Sequence, residues 1–140
     1  MQTIENFPTN YSYEDPTYTY GALFWGCSSL TTLIQPPSNC TAIPRYLYRE
    51  CSSLQGTVEI PSTCTSIGKA AFYSCTSLTA VKIYATTPPT LETDGDTFKM
   101  GYGKADTTGF DILVPSASLS AYQAISEWSR YGSRLKGFTE

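Results

Sequence analysis

The sequence predicts a β-rich α/β solenoid with a narrow parallel sheet and a C-terminal helical cap. Three observations lead to this fold class: a phrase that recurs at constant spacing, short apolar strands that end at proline, and a helical pattern after the last copy. The phrase is LFWGCSSL from Leu23, LYRECSSL from Leu47 and AFYSCTSL from Ala71. A residue that recurs at a period of roughly 20 to 30 occupies the same place on successive turns of a solenoid.

All five cysteines fall into two columns of one repeat. Cys27, Cys51 and Cys75 are 24 residues apart, and Cys40 and Cys64 have the same spacing. Four further columns keep the register and are expected to be buried. They are Leu23, Leu47 and Ala71; Phe24, Tyr48 and Phe72; Leu30, Leu54 and Leu78; and Ile43, Ile67 and Leu91.

The cysteines can be interpreted as buried free thiols or as a disulfide framework. Their number is odd and no CxxC occurs, which favours free thiols that pack as small apolar groups. A zinc site would need cysteines or histidines two to four residues apart, and the sequence has no histidine.

Each repeat contains a short alternating run that predicts a strand. In VKIY, Val81 and Ile83 face inward and Lys82 faces outward, whereas in TVEIPS the strand ends at Pro61. The run TTLIQPPS of the first repeat ends in the same way. Strands from successive repeats run parallel, which predicts an outward row of Gln35, Glu59 and Lys82. The segments 43–51 and 67–75 bend at Pro44 or Gly68 and then suggest about one helical turn.

The chain divides into four parts. Residues 1–19 form an N-terminal extension or linker, 20–91 three repeats of about 24 residues, 92–111 a loop excursion, and 112–140 a C-terminal strand and helix cap. Within the loop, Asp94 and Asp96 flank a glycine and invite a calcium interpretation. EF-hand spacing is absent, so an ordinary turn is expected.

The cap begins with DILVP, which is strand-like, and continues as a helix. Its apolar face is Leu119, Tyr122, Ile125 and Trp128, with Ser116 or Ser118 as N-cap and Gly132 at the end or bend. The basic residues Arg130, Arg134 and Lys136 are expected on a solvated helix face.

Composition excludes several function classes. A net charge of -3 with 9 Lys+Arg argues against nucleic-acid binding. No window approaches the ~18 to 20 apolar residues of a membrane span, and MQTIENFPTN lacks the features of a signal peptide. Without histidine or a catalytic motif, the sequence predicts no enzyme and no cofactor.

The repeats resemble the BspA-like leucine-rich repeats. The likeness covers about Tyr20 to Leu91 and the C-terminal tail, with departures at Cys40 and Cys64 and an added residue around Gln55 to Thr57. It is carried by Cys51, Ser53, Leu54, Val58, Ile60, Pro61, Ser62, Ile67, Gly68, Ala70, Phe72, Cys75, Ser77, Leu78, Val81 and Ile83. The resemblance implies a right-handed leucine-rich-repeat coil, as a C-terminal fragment or small member of the family. It further implies a secreted or cell-surface bacterial protein that binds host matrix proteins or other cells.

Three function hypotheses follow. The first is a non-catalytic protein-binding or adhesion module, the second a structural subunit of a phage or surface-layer assembly, and the third a carbohydrate-contacting accessory domain. Expected partners are a host-matrix or cell-surface protein or a glycan, without nucleic acid or membrane insertion, and self-association is compatible with the second hypothesis. The candidate contact residues, which can also be ordinary surface residues, are Gln35, Tyr46, Glu59, Tyr73, Lys82 and Tyr84.

Overall fold

A computed structural model describes residues 2–3, 24, 26–92 and 96–139. The strands are β1 (Gln2–Thr3), β2 (Ile34–Gln35), β3 (Ala42–Ile43), β4 (Gly56–Ile60), β5 (Ser66–Ile67), β6 (Leu78–Ile83), β7 (Thr90–Leu91), β8 (Asp111–Pro115) and β9 (Leu135–Phe138). The α-helices are α1 (Leu119–Gln123) and α2 (Ser126–Ser129), and 3-10 turns lie at Ser116–Ser118 and Gly132–Arg134. No helix in the described part of the chain is both long and apolar enough to cross a membrane.

The described strands form three parallel sheets, which gives an α/β fold with few helices. The sheets have the orders β1-β2, β3-β5-β7 and β4-β6-β8-β9. Ile43 pairs with Ile67 and Ile67 with Leu91, as the column spacing predicts. Side chains that were predicted to face inward, among them Val58, Ile60 and Val81, are fully buried.

The register changes inside one repeat. Gly56 pairs with Leu78, but Val58 pairs with Val81, and a bulge separates Gly56 from Thr57. A bulge places an extra residue in one strand and bends it. The predicted added residue around Gln55 to Thr57 therefore lies where β4 begins.

The predicted helical turns in 43–51 and 67–75 are wrong, because both segments are consecutive turns. Tyr46, Glu50, Ala70 and Ser74 have φ between 53° and 63°, in the left-handed region. The backbone bonds to the next repeat instead of closing a helix: the N–H of Tyr48 donates to the carbonyl of Ala71 at 2.8 Å. Hydrogen bonds between repeats thus override the local helical preference.

A column of stacked aromatic rings runs through the core. Phe24, Tyr48 and Phe72 follow one another with centroids 5.7 and 5.5 Å apart, as the spacing predicts. Phe98 continues the column 5.6 Å beyond Phe72. The N–H of Phe72 donates to the carbonyl of Thr97 at 2.9 Å. We expected all of 92–111 to leave the stack, and this expectation is wrong for Thr97 and Phe98. Phe98 follows Phe72 by 26 residues rather than by the 24 that separate the earlier rings, so the 24-residue spacing did not reveal it.

The five cysteines are free thiols, four of them buried. Each buried sulfur donates to a backbone carbonyl. The Sγ of Cys51 lies 3.1 Å from the carbonyl oxygen of Phe24, and the Sγ of Cys75 lies 3.0 Å from that of Tyr48. Burial raises the pKa of Cys51 and of Cys64 to about 11, so both remain protonated at neutral pH.

The C-terminal cap differs from the predicted single helix. The chain breaks between α1 and α2, where Ile125 has φ -104° and ψ 123° and is 36% exposed. Ser118 is the N-cap of α1 but makes no side-chain capping bond. The buried anchors are Tyr122, whose hydroxyl donates to the carbonyl of Ala85 at 2.6 Å, and Trp128, whose Nε1 donates to Pro89 at 3.0 Å.

The prediction of a solvated basic face at the C-terminal end is wrong for Arg134. This side chain is 3% exposed and lies 4.9 Å from the ring centroid of Phe110. Arg130 lies 3.0 Å from Asp106, and Lys136 lies 2.9 Å from Asp111. Arg130 and Lys136 are exposed, as predicted, so only Arg134 of the three basic residues is built into the core.

Candidate binding groove

The carboxyl ends of β2, β4 and β6 meet along one edge of the molecule. Proline follows β2 at Pro36 and β4 at Pro61, and β8 ends at Pro115. Because proline has no N–H, it cannot extend the ladder, and the chain turns away at each of these points. The turns leave a groove of about 580 Å³. It is lined by Gln35, Pro36, Ser38, Glu59, Pro61, Ser62 and Tyr84.

Glu59 and Tyr84 form the polar centre of this groove. Glu59 is the Cα partner of Lys82 in the β4–β6 pairing, so Tyr84 lies just beyond the end of β6 beside Glu59. The Tyr84 hydroxyl donates to Glu59 Oε1 at 2.8 Å. Burial, with this hydrogen bond second, raises the pKa of Tyr84, so its hydroxyl remains a donor at neutral pH.

Lys82 lies beside the groove, over two aromatic rings. Its Nζ is 5.0 Å from the ring centroid of Tyr84 and 4.4 Å from that of Phe138. The two rings meet edge to face with centroids 5.5 Å apart. They also help to line a second hollow of about 350 Å³, together with Pro115, Ser116, Ala117 and Thr139. Tyr84 thus separates two neighbouring concavities.

Gln35 lies in the groove wall, but its predicted outward exposure is wrong, because the residue is only 3% exposed. Its Nε2 donates to the carbonyl of Thr57 at 2.8 Å, and its Oε1 accepts from the N–H of Glu59 at 2.7 Å. The side-chain amide therefore bonds to β4 on both sides of Val58, as a peptide group of a neighbouring strand would.

Tyr46 and Tyr73 lie elsewhere, on the consecutive turns after the β3-β5-β7 sheet. The guanidinium carbon of Arg49 is 4.5 Å from the ring centroid of Tyr73 and 5.7 Å from that of Tyr46. The six predicted contact residues therefore form two separate groups on the molecule. Gln35, Glu59, Lys82 and Tyr84 are brought together at the strand ends, and Tyr46 and Tyr73 form a separate aromatic pair around Arg49.

Sequence reasoning did not place Phe138 beside Tyr84. Phe138 belongs to β9, which pairs in parallel with β8, so that Phe138 is opposite Pro115. The run LKGF has little apolar alternation, and the pairing depends on how the preceding helices return the chain. Local sequence therefore carried no clear signal for this neighbour.

The calcium interpretation is not tested at Asp94, which lies outside the described residues. Among the residues that the structure describes, no group of three or more cysteine, aspartate or glutamate side chains is placed to hold a metal ion.

The family of the chain follows from the comparison of its sequence with protein families. The family described as BspA type leucine rich repeat region (6 copies) matches residues 9–93. The chain belongs to this family. The match starts within the segment that the 24-residue spacing leaves outside the repeats, and it covers more than half of the chain. The parallel sheets and few helices fit a leucine-rich-repeat-like α/β fold. Comparison with curated proteins gives no match.

Proposed function

We propose that this chain is a non-catalytic protein-binding or adhesion module of a bacterial secreted or cell-surface protein. One observation carries the proposal. Three strand ends bring Gln35, Glu59 and Tyr84 from separate repeats to a single groove of about 580 Å³. Tyrosine is enriched in the central contacts of protein interfaces, where its ring buries a large area without much loss of entropy.

The proposal includes a right-handed solenoid that presents this groove on a rigid frame. Its support is the column of four rings and the thiol bonds from Cys51 and Cys75 to the preceding repeat. In such a fold each repeat contacts only its neighbours, so outward residues vary without disturbing the core. The BspA-type repeats add support for a surface location, because resemblance to them implies proteins that contact host matrix or other cells.

The chemistry of the groove supports binding rather than catalysis. Its carboxylate accepts a hydrogen bond from the Tyr84 hydroxyl, and the raised pKa of that hydroxyl makes it a weak acid that keeps its proton. The sequence contains no histidine to activate a serine or cysteine nucleophile.

The proposal is tested by measuring binding of the purified chain to immobilised extracellular-matrix proteins and to a glycan array. Tyr84→Ala is expected to weaken binding to a matrix protein roughly tenfold, since truncation of a central interface tyrosine costs about 1.4 kcal/mol or more. Tyr102→Ala is the matched control, because Tyr102 is 98% exposed and lies outside the groove.

The two alternatives give different outcomes in the same experiment. Glycan binding without protein binding would support the carbohydrate-contacting domain instead. Stable self-association with neither kind of binding would support a structural subunit. Protein binding that is lost equally in the Tyr84 and Tyr102 variants would contradict the groove as the contact surface.

A further inference from the structure

We infer that the groove and the second hollow together receive a proline-rich segment of a protein partner, in the polyproline II conformation, with two prolines three residues apart. This inference rests on the proposed protein-binding function and names the ligand chemistry of that site. Its arguments are the neutral charge of the site, the engagement of its polar groups, the nature of its walls and the distance between its two concavities.

The charged groups at the site neutralise each other. Glu59 and Lys82 are Cα partners on β4 and β6. The Tyr84 hydroxyl joins them, because it donates to Glu59 Oε1 at 2.8 Å and is also hydrogen-bonded to Lys82. The other described residues that line the groove and the second hollow are uncharged. Charge complementarity therefore favours an uncharged ligand, since a charged one would lose hydration without meeting an opposite charge.

The polar groups along the groove are already engaged. The carbonyl of Ile60 accepts from the N–H of Tyr84 at 3.0 Å. The carbonyl of Pro61 accepts from the N–H of Cys64 at 3.1 Å. The Gln35 amide bonds to β4 through both its nitrogen and its oxygen. A ligand N–H placed here would find few acceptors, and a buried donor without a partner weakens binding, whereas proline has no N–H.

The walls of the site suit the rings and carbonyls of such a segment. Tyr84 lines both concavities, and Phe138 meets its ring edge to face with centroids 5.5 Å apart. Aromatic-lined grooves dock polyproline II segments, whose conformation is fixed before binding, so that little entropy is lost. The hydroxyls of Ser38 and Ser62, in the lining of the groove, can donate to the carbonyls of the segment.

The distance between the two concavities matches the repeat of polyproline II. The groove is lined from the ends of β2, β4 and β6, so its middle lies at β4. The second hollow is lined from the ends of β6, β8 and β9, so its middle lies at β8. Because β4 and β8 both neighbour β6 in the sheet, they lie two strand spacings apart, about 9.6 Å. Residues three apart in polyproline II share one face at a distance of about 9.3 Å, so one proline enters each concavity.

The test uses two capped peptides of equal length, titrated into isotopically labelled protein and followed by NMR. One repeats Pro-Ala-Ala and places prolines three residues apart, whereas the other repeats Pro-Ala-Ala-Ala and places them four apart. We expect the first peptide to shift the amides of Glu59 and Ala117 together and saturably, because it occupies both concavities. The second is expected to bind roughly tenfold more weakly, since only one of its prolines fits at a time.

Salt dependence and variants at Tyr84 identify what the site recognises. Affinity for the first peptide is expected to change less than about twofold between roughly 0.02 and 0.5 M salt, because the ligand is uncharged. Tyr84→Ala removes the wall shared by the two concavities and is expected to weaken binding roughly tenfold. Tyr84→Phe restores the ring and is expected to recover most of that loss. Tyr102→Ala is the matched control, because Tyr102 is 98% exposed and lies outside both concavities.

Several results would overturn the inference. They are equal binding of the two peptides, shifts at Glu59 without shifts at Ala117, affinity that falls steeply with salt, or no recovery in Tyr84→Phe. If neither peptide binds but a matrix protein still binds and loses affinity in Tyr84→Ala, the inference falls and the proposed function stands. If neither the peptides nor a matrix protein bind, both fall. A thermal melt of each variant separates lost binding from lost folding.

Discussion

At Gly68 the requirement for glycine comes from the neighbouring repeat rather than from backbone conformation. A Cβ at this position would lie 2.4 Å from the backbone nitrogen of Arg45 and 2.8 Å from its Cα. Glu92 reinforces the contact, since its carboxylate accepts from the Arg45 guanidinium and from the N–H of Lys69. The glycine of the Ile-Gly dipeptide thus permits two repeats to approach at backbone distance.

Gly68→Ala is expected to destabilise the protein by about 2 kcal/mol, because overpacking forces backbone to shift. The measurement is the free energy of unfolding in urea. Gly103→Ala is the comparison, since nothing lies within 4 Å of a Cβ at Gly103 and its cost comes from φ +76° alone. We expect Gly103→Ala to cost about 1 kcal/mol. Equal stability of Gly68→Ala and the unsubstituted chain would contradict the close approach.

Single residues show what the sequence could predict. The columns of Cys51, Phe72 and Leu78 follow from spacing alone, because equal spacing puts equivalent residues at equivalent depth. The left-handed conformation of Tyr46 and Ser74 does not follow, since neither residue type favours positive φ. This conformation accompanies backbone hydrogen bonds to the next repeat. Residue propensities describe only local preferences, so they do not predict bonds between distant parts of the chain.

At the scale of elements, Gln35 joins two strands that are not paired by backbone in the described sheets. β2 pairs with β1, and β4 pairs with β6, so the Gln35 amide provides a polar connection between β2 and β4. The residue was predicted to face outward from strand alternation. The alternation of apolar and polar residues predicts which face of a strand a side chain lies on. It does not predict whether a neighbouring strand with a bulge has backbone N–H and carbonyl groups that need a hydrogen bond from that side chain.

Gln35→Leu is expected to destabilise the chain by roughly 2 to 3 kcal/mol. Leucine has no amide, so the carbonyl of Thr57 and the N–H of Glu59 in β4 each lose a hydrogen-bond partner. Both groups are partly buried, so water does not fully replace the lost bonds. Denaturant unfolding gives the stability, and hydrogen exchange at the Glu59 amide reports the broken bond directly. Gln123→Leu, at an exposed position of α1, is the control. An unchanged exchange rate at Glu59 would contradict the bridging role.

The cap shows the limit of periodicity for a helix. Leu119, Tyr122, Ile125 and Trp128 share one spacing, yet Ile125 faces solvent and the helix breaks beside it. Tyr122 and Trp128 are each anchored to a fixed carbonyl, at Ala85 and Pro89. The helix breaks between these two anchors. The positions of Ala85 and Pro89 are set by the packing of the repeats, so the periodicity of the helix sequence could not predict the break.

At the scale of the whole molecule, the C-terminal end of the ring column is closed by the cap. Phe98 ends the column, and its ring meets those of Phe110, Trp128 and Tyr131 at 6.2, 5.7 and 5.2 Å. Behind them the buried guanidinium of Arg134 donates to the carbonyls of Phe98, Asp106 and Phe110. Desolvation lowers the pKa of Arg134, and these three bonds offset part of the cost of burying its charge.

Arg134→Met tests how far the influence of this closure extends. Three carbonyls lose their donors, so a loss of about 3 kcal/mol is expected. Arg130→Met removes only a partly exposed ion pair with Asp106 and is expected to cost less than about 1 kcal/mol. Repeats interact only with neighbours, so hydrogen-exchange protection in Arg134→Met should fall first in 96–110 and β8 and last in β4. A uniform loss of protection from β4 to β9 would instead show that the molecule unfolds as one cooperative unit.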